Sequence, residues 1–449
     1  TTPHQDHAVN NDQMPYNDCT CHIHNHPLML KRSLILTCWL LLICKQPLAQ
    51  EAISLFNEYS GRIYQIRIIE ESTGKQAALG SGFQISHDGT IVTNYHVISE
   101  YTSHPDRYRI EYVAHDGRRG ELELLDIDVI NDLSLLKRDD YSGQYLEIAE
   151  ELPVQGQSIY SLGNPHDLGL TVVPGTYNGI AAYSLYKRIH FSGSINPGMS
   201  GGPVLNSSGQ VIGVNVATAG NQISFLVPLE YLVALIKRPR SGPVSLDNIK
   251  TVISSQLERN QQKIFAELLN KEWVTSSFRG VQVPNEIAEY IRCWGASDNN
   301  PEVYYQGYMS LCSQDEQIFL SSSFTTGQIV YQFNWVESDQ LNVFQFYNMY
   351  QAQIENVYPD NPARREDVSN FECHEDFFRD GEPDSSTVNK GTFCARKYLE
   401  YPGLYDVLYI GATVHEKDKG LVSHFTLAGV SMESALQFTQ KFLGSIRWN

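Results

Sequence analysis

The chain is poor in positive charge and, through its middle, has no cysteine. Its 33 Lys and Arg stand against 51 Asp and Glu, a net charge of −18. That imbalance disfavours nucleic acid and anionic membrane surfaces as general partners. No cysteine lies between Gln50 and Arg292, so this stretch has to fold without disulfides. The 8 cysteines sit instead at the N-terminus (Cys19, Cys21, Cys38, Cys44) and in the C-terminal half (Cys293, Cys312, Cys373, Cys394). The later four lack the C-x₂-C spacing of a zinc site, so a Cys₄ zinc site is the weaker alternative to disulfides, and no cofactor or metal is expected in the working protein. Internal repeats are missing as well. A long membrane-spanning run is missing too: the most apolar stretch, Leu34 to Cys44, is too short to cross a bilayer comfortably.

That apolar stretch belongs to a leader. Lys31 and Arg32 precede it and Ala49 offers a small residue near a cleavage point, so residues 29–50 read as a secretory signal peptide, with an uncleaved anchor as the alternative. Export to a bacterial periplasm or the extracellular space is the expected localisation. An oxidising compartment suits pairing of the four later cysteines. Residues 1–28 carry His4, His7, Cys19, Cys21, His22, His24 and His26. They read either as a Cys/His metal tract or as upstream sequence outside the working protein; the second is preferred, because the charged part of a signal belongs at the very start.

At 449 residues the chain has room for two or three cores. Residues 51–240 show short β-like runs separated by Asp-Gly and Ser-Gly turns. Arg62 to Ile69, Gly80 to Ser86 and Ile91 to Thr93 are examples, and Val204-Leu205 with Val211 to Val214 should pair as a hairpin. The only long helical period closes the segment, from Pro228 to Lys237. An all-β sandwich or barrel is expected.

Within it, Phe191-Ser-Gly-Ser-Ile-Asn-Pro-Gly-Met-Ser-Gly-Gly-Pro-Val-Leu205 sets a serine among glycines. A hydroxyl attacks a carbonyl only when it is exposed, has a base, and has donors for the oxyanion that forms. Glycines allow the tight turn and the close approach to main-chain N–H groups. Ser200 is therefore the candidate nucleophile, with the amides of Gly198 and Ser200 as candidate oxyanion donors. His96 and Asp132 supply a base and an orienting acid in the chain order His, Asp, Ser, one of the orders known for this geometry. From residue types alone His87, His104, His115, His166 and His190 remain rival bases, and Asp126 and Asp128 rival acids.

Four segments in order resemble the trypsin-like serine proteases, most nearly the bacterial HtrA/Deg branch. They are Gly80-Ser-Gly-Phe with Asp88-Gly-Thr-Ile-Val-Thr-Asn-Tyr-His96-Val, Asn131-Asp132-Leu-Ser-Leu-Leu-Lys137, Gly163-Asn-Pro, and Ile195-Asn-Pro-Gly-Met-Ser200-Gly-Gly-Pro with Gly209-Gln-Val-Ile-Gly-Val-Asn215. The resemblance covers roughly residues 55–237. It implies a chymotrypsin-like double β-barrel, with His96 as base, Asp132 as orienting acid, Ser200 as nucleophile, and Gly198 and Ser200 as oxyanion donors. It also implies Ser194 near the base of the pocket for the cleaved residue, and Asn215, Val216, Ala217 and Thr218 as its wall. No acid stands at that base, so small or medium apolar residues are expected there rather than Lys or Arg. Met199 replaces the acid of zymogen-type relatives and the usual Asn of HtrA-type ones, which implies no activation by N-terminal cleavage. No PDZ-like segment follows.

Residues 241–246 form a linker, and 247–449 an α+β domain that resembles nothing we recognise. Asp247 is a candidate cap. Ile249, Val252, Ile253, Leu257, Ile264, Phe265, Leu268, Leu269 and Trp273 describe one long amphipathic helix, expected to pack on its own domain. Ile329, Tyr331, Phe333 and Trp335 alternate as in a half-buried strand, Val407 to Ile410 and Leu421 to Leu427 read alike, and Ser431 should cap a last helix. The expected pairs are Cys293–Cys312 and Cys373–Cys394. The domain could dock a partner, recruit substrate or regulate the cleft.

Two functions fit. One is an exported serine endopeptidase acting on polypeptides through an acyl-enzyme. The other is an inactive protease scaffold serving as a protein-binding module together with its second domain.

Overall fold

The structure is a computed structural model, and it describes residues 48–448 apart from 140–142, 219–222, 241, 299–301, 315, 356, 358–360, 362, 380–386 and 415. Nearly all of the expected leader, the Cys/His tract and the first four cysteines lie outside the described residues.

Helix α1 (Leu48–Tyr59) precedes β1 (Ile63–Glu70), β2 (Lys75–Gln84), β3 (Thr90–Thr93), helix α2 (Tyr95–Ser103), β4 (Tyr108–Ala114), β5 (Arg119–Asp128) and β6 (Leu133–Lys137). These strands close into a barrel in the order β1-β2-β3-β6-β5-β4. A second group, β7 (Ser158–Gly163), β8 (Thr171–Ile180), β9 (Ile189–Phe191), β10 (Pro203–Leu205), β11 (Val211–Thr218) and β12 (Ser224–Pro228), closes in the order β10-β11-β12-β9-β8-β7 and is followed by α3 (Leu229–Lys237). The expected hairpin is present, with Val204 opposite Gly213. Closure removes free sheet edges. Period-two alternation lets each strand serve two cores: Tyr64, Ile66 and Ile68 fill the first barrel, whereas Ile63 joins Phe83, Leu135, Leu162, Val214 and Val227 between the barrels.

Beyond residue 248 comes α4 (Ile249–Asn270), then β13 (Thr275–Phe278), β14 (Val281–Pro284), β15 (Arg292–Asp298), β16 (Gln306–Ser313), β17 (Ile318–Ser321), β18 (Phe324–Thr326), β19 (Ile329–Glu337), α5 (Val343–Glu355), β20 (Glu372–Arg379), β21 (Val388–Lys397), β22 (Tyr405–Val414), β23 (Lys419–Val430), α6 (Met432–Gly444) and β24 (Arg447–Trp448). Seven of these strands form one antiparallel sheet, ordered β15-β16-β19-β23-β22-β21-β20. One face carries Tyr331, Phe333, Phe425 and Leu427 against Phe265 and Leu268 of α4 and Phe438 and Phe442 of α6. The other face carries Val336, Ala412 and Val422 against Phe346 and Tyr350 of α5. The central strands are thus buried on both sides. Ser431 caps α6 as expected, its Oγ accepting from the Ser434 N–H at 3.2 Å. Both expected disulfides are present, Cys293–Cys312 and Cys373–Cys394. Each joins residues directly opposite in an outer hairpin of the sheet, β15–β16 and β20–β21.

The helix at 249 departs from expectation in three ways. Asp247 does not cap it; Asn248 stands at that position and makes no side-chain cap bond. It ends at Asn270, short of Trp273, whose indole N–H instead accepts a capping role by donating to the Leu268 carbonyl at 2.8 Å. Its apolar stripe is divided. Ile249, Ile253 and Leu257 enter the core of the first barrel, while Ile264, Phe265 and Leu268 enter the core of the large sheet. Gln256 fastens the first half by accepting from the Val129 N–H and donating to the Ile127 carbonyl, both at 2.9 Å. The stretch before it is also held on the first barrel: Arg238 donates to Asp126 at 3.0 Å and the Val244 N–H to the Leu124 carbonyl at 2.9 Å.

Candidate active site

Asn94 lies in extended backbone at the mouth of α2 (φ −77°, ψ 152°), and His96 falls in the first turn of that helix. The β-branched Val97 and Ile98 make the local sequence look like a strand. Their burial, with Tyr95, anchors the helix instead and leaves the His96 side chain about 25% exposed. Asp132 sits in the turn between β5 and β6 at φ +60°, a left-handed conformation that Asp tolerates better than most residues. Its carboxylate holds His96 twice. Oδ1 accepts the His96 main-chain N–H at 2.8 Å, and Oδ2 lies 2.7 Å from the ring Nδ1. The Asn94 side chain donates to the Asp132 carbonyl at 2.8 Å and locks the two segments together. With the carboxylate at Nδ1, a neutral ring keeps its proton there and presents Nε2 as an acceptor. Burial acts to lower the pKa of His96, but the charge and hydrogen bond of Asp132 outweigh it and hold the pKa above the ordinary histidine value.

The rival groups are engaged elsewhere. Asp126 pairs with Arg238, and Asp128 accepts from Asn131 at 2.9 Å. His87 packs edge-on against Tyr145, His115 against Phe56, and His190 lies beside Phe225. His166 and His104 are held by their main chains, whose N–H groups donate to the Pro197 and Glu100 carbonyls at 3.0 Å, and among the described residues neither ring is bonded to a carboxylate. Among the described residues only His96 is bonded to Asp132 by its ring.

The Ser200 turn connects β9 to β10. Gly198 has φ +95°, and a Cβ there would stand 2.4 Å from the Asn164 carbonyl oxygen. Gly201 has φ +82°, and a Cβ there would stand 2.3 Å from both the Ser81 carbonyl oxygen and Thr93 Oγ1. Both positions therefore require glycine. Along the turn the N–H groups of Met199, Gly201 and Gly202 are used, donating to the carbonyls of Asn196, Asn215 and Met199 at 3.0 Å. The N–H groups of Gly198 and Ser200 donate to no described residue, and neither does the Ser200 hydroxyl. Two free amides on either side of a bonded one are what an oxyanion site requires.

Ser81, to which the sequence reading assigned no role, organises this turn. It is wholly buried. Its N–H donates to the Ser200 carbonyl and its Oγ to the Gly198 carbonyl, each at 2.7 Å. The same Oγ accepts from the Asn164 N–H at 2.8 Å, and the Ser81 carbonyl accepts from Thr93 Oγ1 at 2.7 Å. Thr93 runs through Asn94 into His96, so one buried serine ties the Ser200 turn to the strand that delivers His96.

The expected pocket residues separate. Asn215 is not a wall residue: its side chain is buried and supports the turn from beneath, donating to the Met199 and Leu162 carbonyls at 3.2 Å and accepting from Ser161 at 2.8 Å. Val216 is half-buried at a break in the β11–β12 register, and Ala217 and Thr218 pair with Phe225 and Ser224. Ser194 is exposed on the stretch leading into the turn. Met199 is buried in the core of the second barrel with Ile159, Ile195 and Ile212, which pins the turn by an apolar anchor.

A family model described as a trypsin-like peptidase domain matches residues 80–214. Residues 80–214 therefore form a trypsin-like peptidase domain. This domain is similar to a "Probable periplasmic serine endoprotease DegP-like" of Chlamydia pneumoniae, 34% identical over 171 residues, which are 35% of this chain and 34% of that protein. It is also similar to "Protease Do-like 5, chloroplastic" of Arabidopsis thaliana, 32% identical over 209 residues, 41% of this chain and 63% of that protein. Among solved structures, that of Deg5 aligns with a TM-score of 0.36 and 29% identity, covering 42% of this chain and 93% of the other. The chain spans between about a third and two thirds of the length of these curated relatives. Residues 247–449 lie beyond the family match.

Proposed function

We propose that this chain is an exported serine endopeptidase that hydrolyses peptide bonds through an acyl-enzyme. Ser200 is the nucleophile, His96 the base and Asp132 the group that orients it. The observation that carries the reading is the double grip of Asp132 on His96, on the ring at 2.7 Å and on the main chain at 2.8 Å, beside a turn with two unused amides. In the reaction His96 Nε2 takes the Ser200 proton as Oγ bonds to the substrate carbonyl carbon. The N–H groups of Gly198 and Ser200 receive the negative oxygen. The imidazolium, stabilised by Asp132, returns the proton to the leaving amine as the C–N bond breaks. A water then gives its proton to His96 and its oxygen to the ester carbon, and the acid product leaves as Ser200 is reprotonated. The buried Met199 supports a turn that is assembled without a newly cut N-terminus, so the protein needs no activation step. The leader motif and the periplasmic DegP-like relative support export.

Hydrolysis of an unfolded protein substrate by the purified chain tests this. The wild type cleaves, and Ser200→Ala and His96→Ala each fall to background. Equal turnover by Ser200→Ala and wild type would refute it. An inert wild type would favour the protein-binding module.

A further inference from the structure

The β17–β18 hairpin belongs by sequence to the C-terminal region, some distance beyond the family match, yet it packs on the helix that carries His96. Ile318 and Leu320 are almost wholly buried in the core of the first barrel, beside Tyr95, Val97 and Ile98. The Leu320 carbonyl accepts from Ser103 Oγ at 3.4 Å and Tyr95 Oη at 3.5 Å, and the Ser322 N–H donates to Glu100 at 3.0 Å. The same segment reaches the second barrel, where Glu316 accepts from the Leu185 N–H at 2.7 Å. Leu185 lies on the loop between β8 and β9, and Asn260 of α4 holds that loop again through Tyr186 at 2.7 Å. The hairpin is therefore fastened to both barrels.

Strand alternation turns Phe319 away from that core. Its side chain is 41% exposed, and its ring centroid lies 5.7 Å from the His96 ring, tilted by 46°. An extended peptide advances about 3.3 Å per residue. A peptide whose carbonyl meets Ser200 and His96 therefore has its flanking side chains within one or two such steps of the phenyl ring.

We propose that Phe319 is a specificity-determining residue, the wall of the substrate channel beside His96. It favours an alanine-sized apolar side chain on the residue N-terminal to the cleaved one and excludes a large one. This rests on the endopeptidase reading above and adds to it what the C-terminal region contributes to the cleft.

The test uses the full chain and two peptides identical except for alanine or tryptophan at that residue. The quantity read is the ratio of their kcat/KM values, which does not depend on the fraction of active protein. Wild type prefers alanine by at least about tenfold, the scale on which an apolar wall discriminates size. Phe319→Ala brings the ratio to within about threefold of unity by raising kcat/KM for the tryptophan peptide, and Phe319→Tyr restores the preference. An unchanged ratio in Phe319→Ala overturns the inference while leaving the endopeptidase reading intact. A wild type that cleaves neither peptide and takes no fluorophosphonate label overturns both.

Discussion

The Asp132 carboxylate fixes the orientation of His96, sets the ring proton on Nδ1 and raises the pKa of the imidazole. Asp132→Asn should therefore lower kcat by about 10⁴-fold while leaving the fold in place. In the proposed mechanism the working base is the neutral ring, so activity should rise with pH through the His96 pKa. Because Asp132 raises that pKa, half-maximal kcat/KM should fall above the ordinary histidine value of about 6.5, and the Asn variant should move the midpoint down. The stability that the protonated pair contributes has the opposite sense: it is full below about pH 6.5 and fades as pH rises through the raised pKa. A pH–rate profile on both proteins checks the sign. Ser81 makes a second prediction. Ser81→Ala leaves the Gly198 carbonyl and the Asn164 N–H without their buried partner, at about 1–3 kcal/mol each, so the melting temperature drops and kcat falls more than KM changes. His96, Asp132 and Ser200 were legible because their segments carry the family resemblance; residue types alone left five rival histidines and two rival aspartates. The role of Ser81 was not, since its four partners come from segments up to 119 positions away in sequence that only the folded barrels bring together.

Among elements, those with a plain period were read correctly and those decided by tertiary burial were not. β19 and β23 alternate or run apolar, and α6 has a capping serine, and all three formed where expected. α2 was missed because Val97 and Ile98 favour strands, while the core of the first barrel needs them on one face of a helix. The stripe of α4 carried its period correctly but not its destination, since half of it faces a core built by residues more than a hundred positions earlier. The two disulfides staple outer hairpins far from the Ser200 turn in chain and topology. Replacing Cys373 and Cys394 together by serine should cost about 2–4 kcal/mol. Thermal unfolding should register that loss, while the labelled fraction at Ser200 at room temperature stays as in the wild type.

For the molecule as a whole, residues from Gln50 to Asn449 form one compact unit. The motif resemblance marked off a protease-like region from a second region, but it could not show that Ile249, Ile253, Ile318, Leu320 and Phe324 complete the first barrel's core. A chain cut after residue 240 would expose that surface around Tyr95 and Ile98. It should be poorly soluble or melt well below the full-length protein, and the full-length protein should melt in one transition by calorimetry. A stable, soluble 51–240 fragment with wild-type kinetics would show instead that the shared core is dispensable.

The most direct measurement of the central claim is mass spectrometry of the purified full-length chain after reaction with a fluorophosphonate. One adduct is expected, mapped to Ser200 and absent from Ser200→Ala and His96→Ala. No adduct on the wild type, or an adduct on another serine, would contradict it.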